Sequence, residues 1–83
     1  MKETYIGMPS LTEAQRAAEL LRRGQIVSTV TRMPCLPGIS CAYGLRLGEN
    51  SVSAALTALR GRGVRIGHIL VREADGTLRE RKP

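Results

Sequence analysis

QIVSTVTRMPCLPGISCAYGLRL, Gln25 to Leu47, decides how the rest of the chain is arranged. Gln25 to Arg32 is β-branched and free of Gly and Pro, the composition of a strand. Met33 to Ser40 is broken by Pro34, Pro37 and Gly38 and reads as a loop. Cys41 to Leu47 then alternates, with Cys41, Tyr43, Leu45 and Leu47 on one face and Ala42, Gly44 and Arg46 on the other. Gly44 inside that strand points to close approach by another backbone or a packed helix. Two strands joined by a loop therefore occupy the middle of the chain.

Upstream, Thr4 to Met8 is a short strand candidate ending at Pro9. Ser10-Leu11-Thr12-Glu13 has the form of a capping box, in which Ser10 accepts from the Glu13 amide and Glu13 reaches back. Leu11, Ala14, Ala17, Ala18 and Leu21 follow on one helix face, with Glu13, Arg16, Glu19 and Arg23 on the other. Arg22 and Arg23 suit the negative end of the helix dipole, and Gly24 is the expected left-handed stop. Downstream, Gly48-Glu49-Asn50 turns the chain and Asn50 or Ser51 caps a second helix. Its stripe is Val52, Ala55, Leu56 and Leu59, and Gly61 and Gly63 end it. Val64 to Val71 is the last strand expected. In READGTLRERKP, Asp75-Gly76 could close a small hairpin, but fraying is the expectation for so charged an end.

The order β-α-β-β-α-β, with right-handed crossovers, puts both helices on one face of one sheet. The expected fold is an α+β, ferredoxin-like sandwich with a four-stranded antiparallel sheet. It spans residues 1–72 as a single domain, and residues 73–83 form a charged C-terminal tail.

The chain of 83 residues carries 13 basic and 7 acidic groups, and 42% of its residues are apolar. It has no Phe or Trp, so its core must be aliphatic and thin. Without Arg72 to Pro83 there remain nine basic and four acidic residues, +5 of the total +6, so the charge belongs to the folded part. Eleven of the bases are Arg, suited to bidentate contact with carboxylates or oxyanions. A solvated basic surface explains this charge most simply, an acidic partner protein next, and nucleic acid third. MKETYIGMPSL lacks the apolar run of a signal peptide, and no stretch approaches the length of a membrane helix. The expected location is the cytoplasm, where thiols stay reduced.

The reactive side chains gather in one place. Cys35 and Cys41 are separated by five intervening residues, which is not the C-x-x-C spacing of metal or thioredoxin-like sites. His68 is the sole histidine, and on an apolar strand it reads as a packed or edge residue; no metal site and no cofactor is expected. Arg32 and Arg46 flank the loop and could raise the thiolate share of a neighbouring cysteine. Three readings stay open for the pair. Cys41 is a small apolar residue at a strand start, or a nucleophile, or half of a short disulfide contributing on the order of 2 kcal/mol.

On these residues the chain, from Thr4 to about Val71, resembles the selenium/sulfur carrier protein-like family of small bacterial and archaeal proteins. The matching stretches are YIGMPSLTEAQRAAELLRRG, IVSTVTRMP and SCAYGLRL, with the family cysteine at Cys41 and the loop proline at Pro34. Two positions depart from the family pattern. Cys35 stands where Arg is usual, and Ala42 where Gly is usual. The resemblance implies carriage, not turnover: Cys41 holds sulfur or selenium as a persulfide or selenosulfide. A donor such as a pyridoxal-dependent desulfurase would load it and an acceptor enzyme would unload it. Arg32 or Arg46 would stabilise the anion, and Cys35 would release the atom by closing a disulfide.

The alternative is a non-catalytic interaction or regulatory module, since such folds host many functions. RNA binding on the sheet expects stacking aromatics, and only Tyr5 and Tyr43 are offered. A metal chaperone expects thiols at the first strand–helix junction, where MPSLTE has none. A membrane partner is not expected, and a homo-oligomer is left open.

Overall fold

The computed structural model describes residues 2–34 and 43–81. Its elements are β1 (Glu3–Gly7), α1 (Leu11–Arg23), β2 (Thr29–Arg32), β3 (Tyr43–Gly48), a 3-10 turn (Glu49–Ser51), α2 (Val52–Gly61), β4 (Ile69–Arg72) and β5 (Leu78–Arg81). The strands lie in the order β2-β3-β1-β4-β5, and every neighbouring pair is antiparallel. Each helix crosses over between strands separated by one inserted neighbour, so the two crossover units interleave at β1 and β3. No helix among the described residues is long and apolar enough to cross a membrane.

Five strands stand where four were expected, because residues 73–81 do not fray. The Glu73 amide donates to the Thr77 carbonyl (2.8 Å) and the Gly76 amide to the Glu73 carbonyl (2.9 Å). Gly76 takes φ +90°, and the Asp75 carboxylate accepts from the Thr77 amide at 2.9 Å. That bond holds the Asp75 carboxyl below its ordinary pKa. Arg79 bonds Glu73 at 2.6 Å, and Leu78 packs under the sheet, so the charged segment has enough partners to pair with β4.

One face of the sheet carries both helices. Ala14, Ala17 and Leu21 of α1 and Val52, Ala55, Leu56 and Leu59 of α2 pack on Ile6, Leu45, Leu47 and Ile69. Burying each Leu or Ile here stabilises the fold by roughly 1.5–3 kcal/mol. The core is aliphatic, as the composition requires. The other face holds a smaller cluster of Tyr5, Met33 and Leu70, with Leu78 beside it.

Both helices end in the same device. The Ile26 amide donates to the Leu21 carbonyl (2.8 Å) and Gln25 to Arg22 (2.9 Å); Val64 donates to Leu59 and Gly63 to Arg60, each at 3.0 Å. These are the paired bonds of a Schellman motif, with Ile26 and Val64 packed back onto the core. The left-handed residues are Gly63 (φ 71°) and Gln25 (φ 63°). Gly24, expected to be the left-handed stop, instead has φ −88°. The expected strands beginning at Gln25 and Val64 therefore start late, at Thr29 and Ile69. Their first residues are occupied in closing the helices.

Candidate functional site

The segment that carries the cysteines connects the C-terminal end of β2 to the start of β3. Cys35, Pro37, Gly38 and Cys41 lie outside the described residues, as does the expected strand start at Cys41. The loop's base is described. Arg32 and Tyr43 are register partners, so the two ends of the connection sit side by side. The Arg32 guanidinium lies 5.8 Å from the centre of the Tyr43 ring, within cation–π range. Pro34, two residues beyond the end of β2, is half-buried.

Met33 fixes this base from the opposite face. Its side chain, 5% exposed, lies across Gly44 and reaches Gly7. A Cβ on Gly44 would come within 2.5 Å of the Met33 sulfur and 2.4 Å of the Ile6 carbonyl oxygen. Close approach by another backbone, expected from a glycine within a strand, is thus met by β1 and by a methionine. Sequence reading flagged Gly44 but had no signal for Met33, which looked like an ordinary loop residue.

Arg46 is not brought to Arg32. Tyr43 and Leu45 face the helices, whereas Arg46 alternates onto the other face and lies 3.4 Å from the Glu3 carboxylate. The base of the loop therefore offers one arginine on the Tyr43 side. His68 is exposed, and its Nδ1 lies 2.5 Å from the Glu80 carboxylate, bridging β4's approach to β5. Just before β4, Gly67 and His68 both bond Gly7, with Gly67 donating at 2.9 Å and Gly7 donating to His68 at 2.7 Å. This two-against-one count is a β-bulge. Among the described residues no three His, Cys, Asp or Glu side chains gather as a metal site would require.

Among the surface depressions that border α1 are two of several hundred Å³. One, about 600 Å³, lies between α1 and residues 25–30, with Ala18, Ile26 and Val30 in its lining. At its margin Glu19 bonds Arg22 at 2.6 Å, which holds the Glu19 carboxyl below its ordinary value. The other, about 530 Å³, lies between α1 and the segment after α2, with Arg16, Leu20, Arg62 and Arg65 in its lining.

Compared with protein-family models, curated proteins and solved structures, the chain matches none.

Proposed function

We propose that the chain is a ferredoxin-like sandwich, extended by β5 at one edge, that carries sulfur or selenium on Cys41. The observation that supports this reading is the base of the cysteine loop. Its ends are held in register by Arg32 and Tyr43, with Arg32 over the ring and Met33 wedged across Gly44. A carrier needs a reactive loop on a rigid support, so that a donor and an acceptor can meet the same thiol in turn. The resemblance over IVSTVTRMP and SCAYGLRL names Cys41 as that thiol.

The chemistry balances without an oxidant at loading. The Cys41 thiolate attacks the terminal sulfur of a donor persulfide; the new S–S bond forms as the donor's S–S bond breaks, and the donor leaves as thiolate. A selenium donor would react in the same way. The loaded perthiolate is anionic, and Arg32 is the arginine at the loop base on the Tyr43 side. In release, Cys35 attacks the inner sulfur of Cys41, expelling hydrosulfide or hydroselenide and leaving a Cys35–Cys41 disulfide. A cellular dithiol then reduces that bond, which suits a reducing compartment, the cytoplasm.

Intact mass after incubation with a pyridoxal-dependent desulfurase and cysteine or selenocysteine tests the reading. The wild type gains one chalcogen atom, Cys41→Ser gains none, and Cys35→Ser loads but releases more slowly. Equal loading of the two single variants would overturn the roles assigned. A wild type that accepts nothing from either donor would sink the carrier reading itself.

A further inference from the structure

Three adjoining depressions on the outer side of α1 and α2 share one residue, Leu20. Arg16, Arg23 and Arg62 surround it, Arg65 stands beyond Arg62, and Ala17 and Ala58 belong to the same lining. Leu20 and Ala58 are half-buried, whereas all four arginines are exposed. Two carboxylates share this surface. Glu13 lies 4.0 Å from Arg16, and Glu19 is engaged mainly by Arg22, at 2.6 Å, and also by Arg23 at 3.6 Å. Arg62 and Arg65 form no ion pair among the described residues, so their charge is open to a partner.

We propose that this surface docks an acidic, amphipathic segment of a partner protein, with an apolar side chain on Leu20 and carboxylates on Arg62 and Arg65. The anatomy is that of an interface centre: a small apolar floor within an arginine rim. Guanidinium groups match carboxylates with paired, directional hydrogen bonds. Nucleic acid fits less well because single strands need aromatic faces to stack on. Both tyrosines are in the sheet, each beneath an arginine of its own, and Tyr5 is 6% exposed. The docking surface does not depend on what Cys41 carries. Its margin at Pro9 and Val64 lies toward the end of the sheet where β1 leaves and β3 enters, and its other margin, at Arg23 and Gly24, lies at the C-terminal end of α1.

The test titrates the full chain against a fluorescent helical peptide built from Glu and Leu on opposite faces. Two other probes accompany it, a poly-Glu peptide of equal charge and a single-stranded oligouridine RNA. The Glu/Leu peptide binds with a Kd of about micromolar order, weakening at higher salt as exposed charge pairs are screened. Arg62→Glu and Arg65→Glu each weaken it at least about tenfold. Arg81→Glu, the same charge change on exposed β5, alters binding by less than about twofold. Equal weakening by Arg81→Glu, equal affinity for poly-Glu, tighter binding of the RNA, or no saturable binding of the Glu/Leu peptide would each overturn the proposal.

Discussion

The two crossover units, β1-α1-β2 and β3-α2-β4, solve one problem with different residues. Each must stop a helix, turn the chain and lay a strand two places away in the same sheet. Leu21 and Leu59 hold the equivalent place, the third residue from each helix end, and both are fully buried. Their carbonyls accept the closing amides of Ile26 and Val64. At the left-handed position one unit has Gly63 and the other has Gln25. At the N-termini, α1 has a side-chain cap in Ser10, whereas α2 is led in by the 3-10 turn Glu49–Ser51 without one. Tertiary packing therefore imposes the geometry in both units, and local sequence favours it strongly in only some places.

The largest effects should fall where the units are most alike. Leu21→Ala and Leu59→Ala each remove a fully buried side chain from the shared core and should each cost about 3 kcal/mol. Small domains have only about 5–15 kcal/mol in total, so both variants should unfold at much lower urea concentrations than the wild type. A difference between them above roughly 2 kcal/mol would mean that the equivalence is only one of backbone.

Next come the left-handed positions, where the units differ. Gly63→Ala should cost about 1 kcal/mol of conformational strain, because a Cβ there meets nothing within 4 Å and only φ opposes it. Gln25→Gly should do the reverse, stabilising by roughly 0.5–1 kcal/mol as a residue at φ 63° is replaced by one at ease there. Urea midpoints decide both. A destabilised Gln25→Gly would show that the glutamine side chain contributes more than its backbone costs.

The same comparison explains what could be read in the chain. Both helices were legible because their stripes repeat at helical spacing, and the βαββαβ order followed from them. Both landing strands start four or five residues later than composition suggests, since Gln25–Ser28 and Val64–His68 include β-branched residues but their amides and side chains serve the helix ends or the bulge. A hairpin at Asp75-Gly76 was legible as an alternative, but the charge of LRER favoured fraying; the partners of β5, Glu73 and the underside of β4, are visible only in three dimensions. At the candidate site, strand alternation already set Arg46 opposite Tyr43, and the structure keeps it there with Glu3. Met33 could not be assigned, because its place is defined by Gly7 and Gly44 on two other strands. The net charge was plain, but its concentration around Leu20 was not, since Arg16, Arg62 and Arg65 come from separate segments.

The smallest effect separates the two helix starts. Ser10 has extended backbone, φ −157° and ψ 169°, and its hydroxyl accepts from the Glu13 amide at 3.2 Å. Only this half of the anticipated capping box is made, for the Glu13 carboxylate turns to Arg16 instead. An amide at the first turn of a helix has no partner within the helix, so removing the hydroxyl leaves it to water alone. Ser10→Ala should therefore cost about 1 kcal/mol. Ser51, by contrast, is already helical, at φ −95° and ψ −8°, and makes no side-chain cap bond. The preceding 3-10 turn gives the chain its entry there: Val52, at the end of that turn, donates its amide to the Glu49 carbonyl. Ser51→Ala should change stability by less than about 0.5 kcal/mol. Matched urea denaturation of the two variants reads the difference directly. Equal losses would mean that Ser51 caps α2 in solution, and that the two units begin their helices alike.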